Sequence, residues 1–152
     1  MPYTINVVRG PDSGILTFQH GNVSVDTKCW WDKDVKVDAG SYTAYATRMA
    51  NKYDGYDGGK REGIWLGTGV PVNDNARKSN GIFIHKGTSA AWSDGCIVIE
   101  EAEVIKIWKA ISPKEQPNVT VIISERVETQ PAPPRPVQPV GRSYFHWLCH
   151  GR

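Results

Sequence analysis

Two residues capable of nucleophilic chemistry lie close together in one central stretch of this 152-residue chain, where Gly81 to Glu100 reads GIFIHKGTSAAWSDGCIVIE. The run Ile82-Phe83-Ile84 delivers His85, and Cys96 opens onto Ile97-Val98-Ile99. A thiol attacks carbonyls as its thiolate, so it needs a base or a positive field beside it; His85 is the nearest candidate. Gly95 has no side chain, which lets a substrate carbonyl approach the backbone. The N–H groups of Gly95 and Cys96 could then stabilise an oxyanion. Ser93 and Asp94 stand where they could position His85 or a substrate amine. Such a set performs acyl transfer: Cys96 attacks, a thioester forms, and water or an amine resolves it. Taken singly, a Cys before an apolar run is usually a small buried hydrophobe, and a lone His a surface or capping residue. Their combination, flanked by Gly and small residues, is what suggests a pair.

The elements that must hold this pair are mostly strands. Two short apolar runs bounded by Gly, Ser and Asp read as buried strands. The imidazole and thiol are thus predicted at the ends of two strands, facing each other across the joining loop. Upstream, Tyr3 to Val8 alternates, Gly10 to Gly14 is a turn cluster, and Ile15 to Phe18 is a second strand. His20 falls in the next turn, before Val23-Ser24-Val25. A turn at Asp38-Ala39-Gly40 precedes a strand with Tyr42, Ala44 and Ala46 on one face. Asn51 to Glu62 reads as an exposed loop rich in Gly and charge, whose Tyr53 and Tyr56 form either a lid or an ordinary solvated surface. Gly63 to Gly69 is a further strand and Val72 to Asn80 a polar loop. The one helix spans Glu100 to Ala110, with Val104, Ile105, Trp108 and Ile111 on one face and acidic residues crowding its N-terminus. Pro113 ends it, and Val119 to Ile123 is the last strand. Trp30, Trp31 and Trp92 are expected in the aromatic core in preference to a groove. The fold class is mainly β with one main α-helix.

Composition bounds the rest. A hydrophobic content of 39%, with six Trp and six Tyr, describes a globular chain. The catalytic unit is expected over 1–125, followed by a Pro-rich linker over 126–142 and an aromatic C-terminal segment over 143–152. Five prolines between Pro131 and Pro139 favour an extended, polyproline-like backbone. His146, Cys149 and His150 could grip a metal if helical, but a flexible terminal segment is the plainer reading. No metal and no cofactor are therefore expected. With 18 basic and 16 acidic residues scattered along the chain, nothing argues for nucleic acid. Three cysteines without paired spacing argue against a disulfide framework. Neither a signal peptide nor a membrane span is evident, so synthesis in the cytoplasm is expected.

The pattern I-H-x-G followed by S-x-G-C-I, carried by Ile84, His85, Gly87, Ser93, Gly95, Cys96 and Ile97, resembles the active-site signature of the L,D-transpeptidase (YkuD-type) family. In the common form of that family the cysteine motif reads S/T-H-G-C, and the first His lies further upstream. Here Asp94 stands at the second His, and the His-to-Cys spacing is shorter. Both departures resemble a compact branch that includes toxins delivered by type VI secretion systems. Asp38 to Tyr42 is also similar to the family's P-x-G-x-Y strand, and the likeness covers roughly Val7 to Ile123.

The resemblance implies a small β-sandwich or barrel in which Cys96 is the nucleophile and His85 its general base. Gly95 would lie in the oxyanion-forming turn, Ser93 matches the Ser/Thr before it, and the role of Asp94 is open. The implied substrate is the peptidoglycan stem peptide, attacked at the L,D-bond after its third residue without a metal. Water as acceptor makes an L,D-carboxypeptidase; a D-amino acid makes a transpeptidase or an exchange enzyme. The toxin branch implies action in the periplasm of a target bacterium, a secretion-system component as partner, and an immunity protein in the producing cell. The alternatives are a phage or prophage lysis enzyme, and a non-catalytic binding module that uses the Pro-rich tail.

Overall fold

The alternation of apolar and polar residues resolves into strands whose inner faces close on one another. The computed structural model describes residues 2–93 and 96–126. Asp94, Gly95, the Pro-rich segment from 127 onward and the aromatic segment, with His146, Cys149 and His150, lie outside the described residues. The strands are β1 (Tyr3–Arg9), β2 (Gly14–His20), β3 (Val23–Trp31), β4 (Gly40–Met49), β5 (Arg61–Gly67), β6 (Pro71–Val72), β7 (Arg77–Lys78), β8 (Ile82–Lys86), β9 (Ile97–Ile99) and β10 (Val119–Glu125). Eight of them form a closed barrel in the order β1-β10-β4-β5-β8-β9-β3-β2, which removes open sheet edges. The mainly-β expectation with one helix is met.

Period two decides which side chains fill the barrel. Ile5 and Val7 of β1, Leu16 and Phe18 of β2, Ala44 and Ala46 of β4, and Val119 and Val121 of β10 are all buried. The helix α1 (Glu101–Ala110) packs against β3, β5 and β8. Glu101 and Glu103 occupy its first turn and Lys109 its last, each matching the helix dipole. Its inner face is Val104 and Ile107, continued by Ile111, each fully buried and worth about 1.5–3 kcal/mol in transfer terms. This rotates the expected face: Ile105 and Trp108 are only partly buried, and Trp108 sends its indole N–H to the Thr47 carbonyl at 2.8 Å. Among the described residues no helix is long and apolar enough to cross a membrane.

Three further expectations change. The polar loop after Val72 is a tight hairpin in which Pro71–Val72 pairs with Arg77–Lys78. Its tip places Asn73, Asp74 and Asn75 at φ of 55°, 58° and 63°, the left-handed region that Asn and Asp tolerate best among side-chain-bearing residues. The loop from Asn51 ends earlier than its composition suggests, because Arg61 and Glu62 belong to β5 and are buried. Trp31 is buried as expected, but Trp92 is 46% exposed.

Candidate active site

β8 and β9 run in the same direction, with Ile84 beside Ile97 and His85 beside Val98. A parallel pair cannot be closed by a tight hairpin, so the chain must return along the strand before β9 begins. That return carries Gly87 to Cys96. It includes one 3-10 turn, Ala90–Trp92, capped by Ser89, whose Oγ accepts the Ala91 N–H. Cys96 immediately precedes β9 and lies beside Phe83, whose N–H meets its Sγ, while His85 follows two residues further along β8 on the face that Phe83 shares.

The thiol has a main-chain donor. The Phe83 N–H points to Cys96 Sγ at 3.4 Å, a contact that a sulfur anion exploits better than a neutral thiol. Ser93, fully buried, donates its hydroxyl to the Cys96 carbonyl at 2.5 Å, bridging the two positions between them. Its hydroxyl thus engages the cysteine backbone. The expected oxyanion donor Gly95, and Asp94, lie outside the described residues. Cys29 makes the contrast. Burial pushes its thiol up to about 12, against a smaller opposing effect of Arg9, so it behaves as a small core hydrophobe.

The imidazole is oriented from one side. His85 is 3% exposed, and its Nδ1 lies 2.8 Å from the Lys86 carbonyl oxygen. Arg61 Nη1 also approaches Nδ1, at 3.4 Å. A carbonyl can only accept and a guanidinium can only donate, so Nδ1 can hydrogen-bond one of its two neighbours; the shorter contact, to the Lys86 carbonyl, favours the hydrogen on Nδ1 and leaves Nε2 as the basic nitrogen. The guanidinium is held in a fork by Asp54, with Nε to Oδ1 at 2.9 Å and Nη2 to Oδ2 at 2.8 Å, and lies 5.7 Å over the Trp92 ring. This hydrogen bonding, with added Coulomb attraction, holds the Asp54 carboxyl down at about 2. Lys86 Nζ reaches the Asp54 carbonyl at 2.5 Å and Glu101 Oε2 at 3.0 Å.

Sequence reasoning missed Arg61, Asp54 and Lys86. Asp54 and Arg61 sit in a polar context that reads as surface and come near His85 only by long-range packing, whereas Lys86 follows His85 directly in sequence. Tyr53 is 69% exposed, whereas Tyr56 turns toward α1, 6.4 Å from the Trp108 ring. Tyr45, Trp65 and Phe83 stand in register across β4, β5 and β8, so this aromatic row ends beside Cys96. With Thr47 and Met49 they line a groove of about 440 Å3. Glycine is needed at Gly87, where a Cβ would come within 2.6 Å of Trp92 Cβ and 2.9 Å of Val98 Cβ. Among the described residues no group of three or more His, Cys, Asp or Glu side chains converges to hold a metal.

The family model described as YkuD, the L,D-transpeptidase catalytic domain, matches residues 17–123, well over half of the chain. Comparison with curated proteins and with solved structures gives no match.

Proposed function

This chain belongs to the YkuD family of L,D-transpeptidase catalytic domains, and we propose that it performs cysteine-dependent acyl transfer on peptidoglycan stem peptides. The observation that carries this reading is the placement of His85 on β8 and of Cys96 immediately before the parallel strand β9, with the Phe83 N–H on the sulfur and the Lys86 carbonyl on Nδ1. His85 Nε2 takes the thiol proton, and Cys96 Sγ attacks the carbonyl carbon of the L,D-amide bond. The carbonyl oxygen gains the electron pair and needs a donor, a role for the Cys96 N–H together with that of Gly95. The tetrahedral adduct collapses as the C–N bond breaks, and the proton on His85 passes to the departing amine. A thioester remains on Cys96. Water resolves it to a shortened stem peptide, or a D-amino acid resolves it to an exchanged one.

Purified peptidoglycan digested with the wild-type protein and with Cys96→Ala, then read by mass spectrometry of the muropeptides, tests this. Loss or exchange of the terminal D-amino acid is expected with the wild type only. Identical muropeptides from both proteins would remove the proposal.

The same reading makes the chain an antibacterial effector that acts in the periplasm of rival cells, delivered by a secretion system and blocked at home by an immunity protein. Its support is the compact motif, with Asp94 in place of a second histidine. Expression directed to the periplasm of a susceptible bacterium should arrest growth, and Cys96→Ala should not. Growth that is equal in both would rule out the toxin role while leaving the chemistry standing.

A further inference from the structure

After the thiol attacks, the amine departs with the proton from His85 and the acyl half of the donor stays on the sulfur. Of the two strands that flank β9, only β8 leads from Cys96 over partly open surface. On the β3 side, Trp31 and Asp32 are buried. On the β8 side the outer face of the barrel runs from Cys96 through Phe83, Trp65 and Tyr45, in register on β8, β5 and β4. Their strand neighbours Ala44, Ile64 and Ile84 point inward and are buried, whereas the three rings are only partly so. His85 stands two residues further along β8, so this row leads sideways from the sulfur and away from the departing amine.

Two glycines let the rings lie down on the sheet. A Cβ at Gly63 would stand 2.8 Å from the Phe83 ring, and one at Gly81 would stand 2.6 Å from the Trp65 ring. The Trp65 and Phe83 rings meet at 4.8 Å with a tilt of 55°, which makes the row a trough. Its volume of about 440 Å3 is that of a small-ligand site, far more than one departing D-amino acid fills.

We propose that this groove is the acyl-side subsite: it holds the stem peptide between the attacked carbonyl and the sugar, with Phe83 and Trp65 beneath the peptide and Tyr45 at the sugar-proximal end. This rests on the acyl-transfer reading. Three residues, one linked through its longer γ arm, extend about 12 Å. The three strand spacings from β9 to β4 cover about 14 Å. Charge agrees with that occupant. Among the described residues the lining holds no carboxylate, and Glu115 reaches only its edge, accepting the Thr47 hydroxyl at 2.9 Å. Arg48 is held by both oxygens of Asp57, which leaves the exposed Lys52 as the cationic neighbour for the free α-carboxylate of a γ-linked second residue. Donor recognition then falls on the acyl half, remote from the bond that breaks.

Binding without turnover tests this. The full chain carrying Cys96→Ala is isotope-labelled at its methionine methyls; Met49 lines the groove and is one of two methionines in the sequence. It is titrated by NMR with the stem tetrapeptide L-alanyl-γ-D-glutamyl-L-lysyl-D-alanine and with the dipeptide L-lysyl-D-alanine. The tetrapeptide is expected to shift the Met49 methyl saturably, and the dipeptide to bind roughly tenfold more weakly or worse. Tyr45→Ala is expected to weaken the tetrapeptide roughly two- to tenfold and to leave the dipeptide unchanged. Lys52→Glu, at an exposed position, is expected to weaken it roughly two- to fivefold. No Met49 response, equal affinity for the two peptides, or an unchanged tetrapeptide affinity in Tyr45→Ala would overturn the proposal. Should Tyr45→Ala fail to fold, Lys52→Glu decides in its place. Trimmed muropeptides without a Met49 response would remove this subsite and leave the functional reading standing; saturable binding with unchanged muropeptides would do the reverse.

Discussion

The backbone N–H of Phe83 donates to Cys96 Sγ at 3.4 Å, across the parallel pair of β8 and β9. The donor is main chain, so no side-chain substitution removes it, and it exists only while the two strands keep their register. The nucleophile's environment is thereby tied to the barrel itself. A register slip would strip the sulfur of this contact and carry His85 away with it.

The two described thiols should differ in reactivity. With its thiol near 12, Cys29 holds only about one part in ten thousand as thiolate at pH 8. Alkylation of the native protein with iodoacetamide, mapped by peptide mass spectrometry, should label Cys96 and leave Cys29 unmodified until the chain is unfolded. Equal labelling of both in the native state would show that the Cys96 environment does nothing for its sulfur.

Ser93→Ala removes a fully buried hydroxyl and leaves the Cys96 carbonyl without that donor. The expected cost is about 1–3 kcal/mol in unfolding free energy by urea titration. Because the lost bond holds the residue next to the reacting sulfur, kcat should fall more than KM rises. A variant with the stability loss but an unchanged kcat would limit Ser93 to a folding role.

Two glycines should respond differently to an added methyl group. At Gly87 the Cβ would press on Trp92 Cβ and Val98 Cβ, neither of which can swing away. Gly87→Ala should cost about 1–3 kcal/mol as overpacking. At Gly63 the Cβ would meet the Phe83 ring at 2.8 Å. That ring is only half buried and can rotate aside, so Gly63→Ala should cost less and mainly reshape the aromatic groove. Thermal unfolding of both variants checks the order, and a larger loss for Gly63→Ala would contradict it.

Asp54 gives a signed pH dependence. Its carboxyl is lowered from 3.8 to about 2, chiefly by the hydrogen bond from Arg61. A depressed folded value stabilises the fold above the unfolded value and loses that contribution as pH falls toward the folded one. Solvent screening of the half-exposed pair keeps the effect below about 1 kcal/mol. Wild type should therefore exceed Asp54→Asn in stability at pH 7, and the gap should close between pH 4 and pH 2. A gap that persists at pH 2 would assign it to packing.

Much of the barrel was legible in the sequence because β1, β2, β4 and β10 alternate cleanly, and one buried face imposes that pattern. The runs around His85 and Cys96 were legible for the same reason, but an apolar run carries no direction, so the parallel pairing of β8 and β9 was not. Arg61 and Glu62 looked like the end of a solvated loop because their burial depends on Asp54 and Arg48, which meet them only in the folded chain. Trp92 looked like core, yet it is 46% exposed, with the start of its side chain close against Gly87. Ser93 was visible as a motif residue, but its bond to the Cys96 carbonyl depends on a local turn that composition does not specify.

The central claim is a covalent acyl-enzyme on Cys96. The most direct measurement mixes the protein with a purified tetrapeptide muropeptide, quenches in acid within the first turnovers, and reads the intact and digested protein by mass spectrometry. The expected result is an adduct on the Cys96 peptide equal to the donor less its terminal D-amino acid, absent in Cys96→Ala and much reduced in His85→Asn. Product formation by Cys96→Ala at the wild-type rate, with no adduct on the wild-type protein, would contradict it.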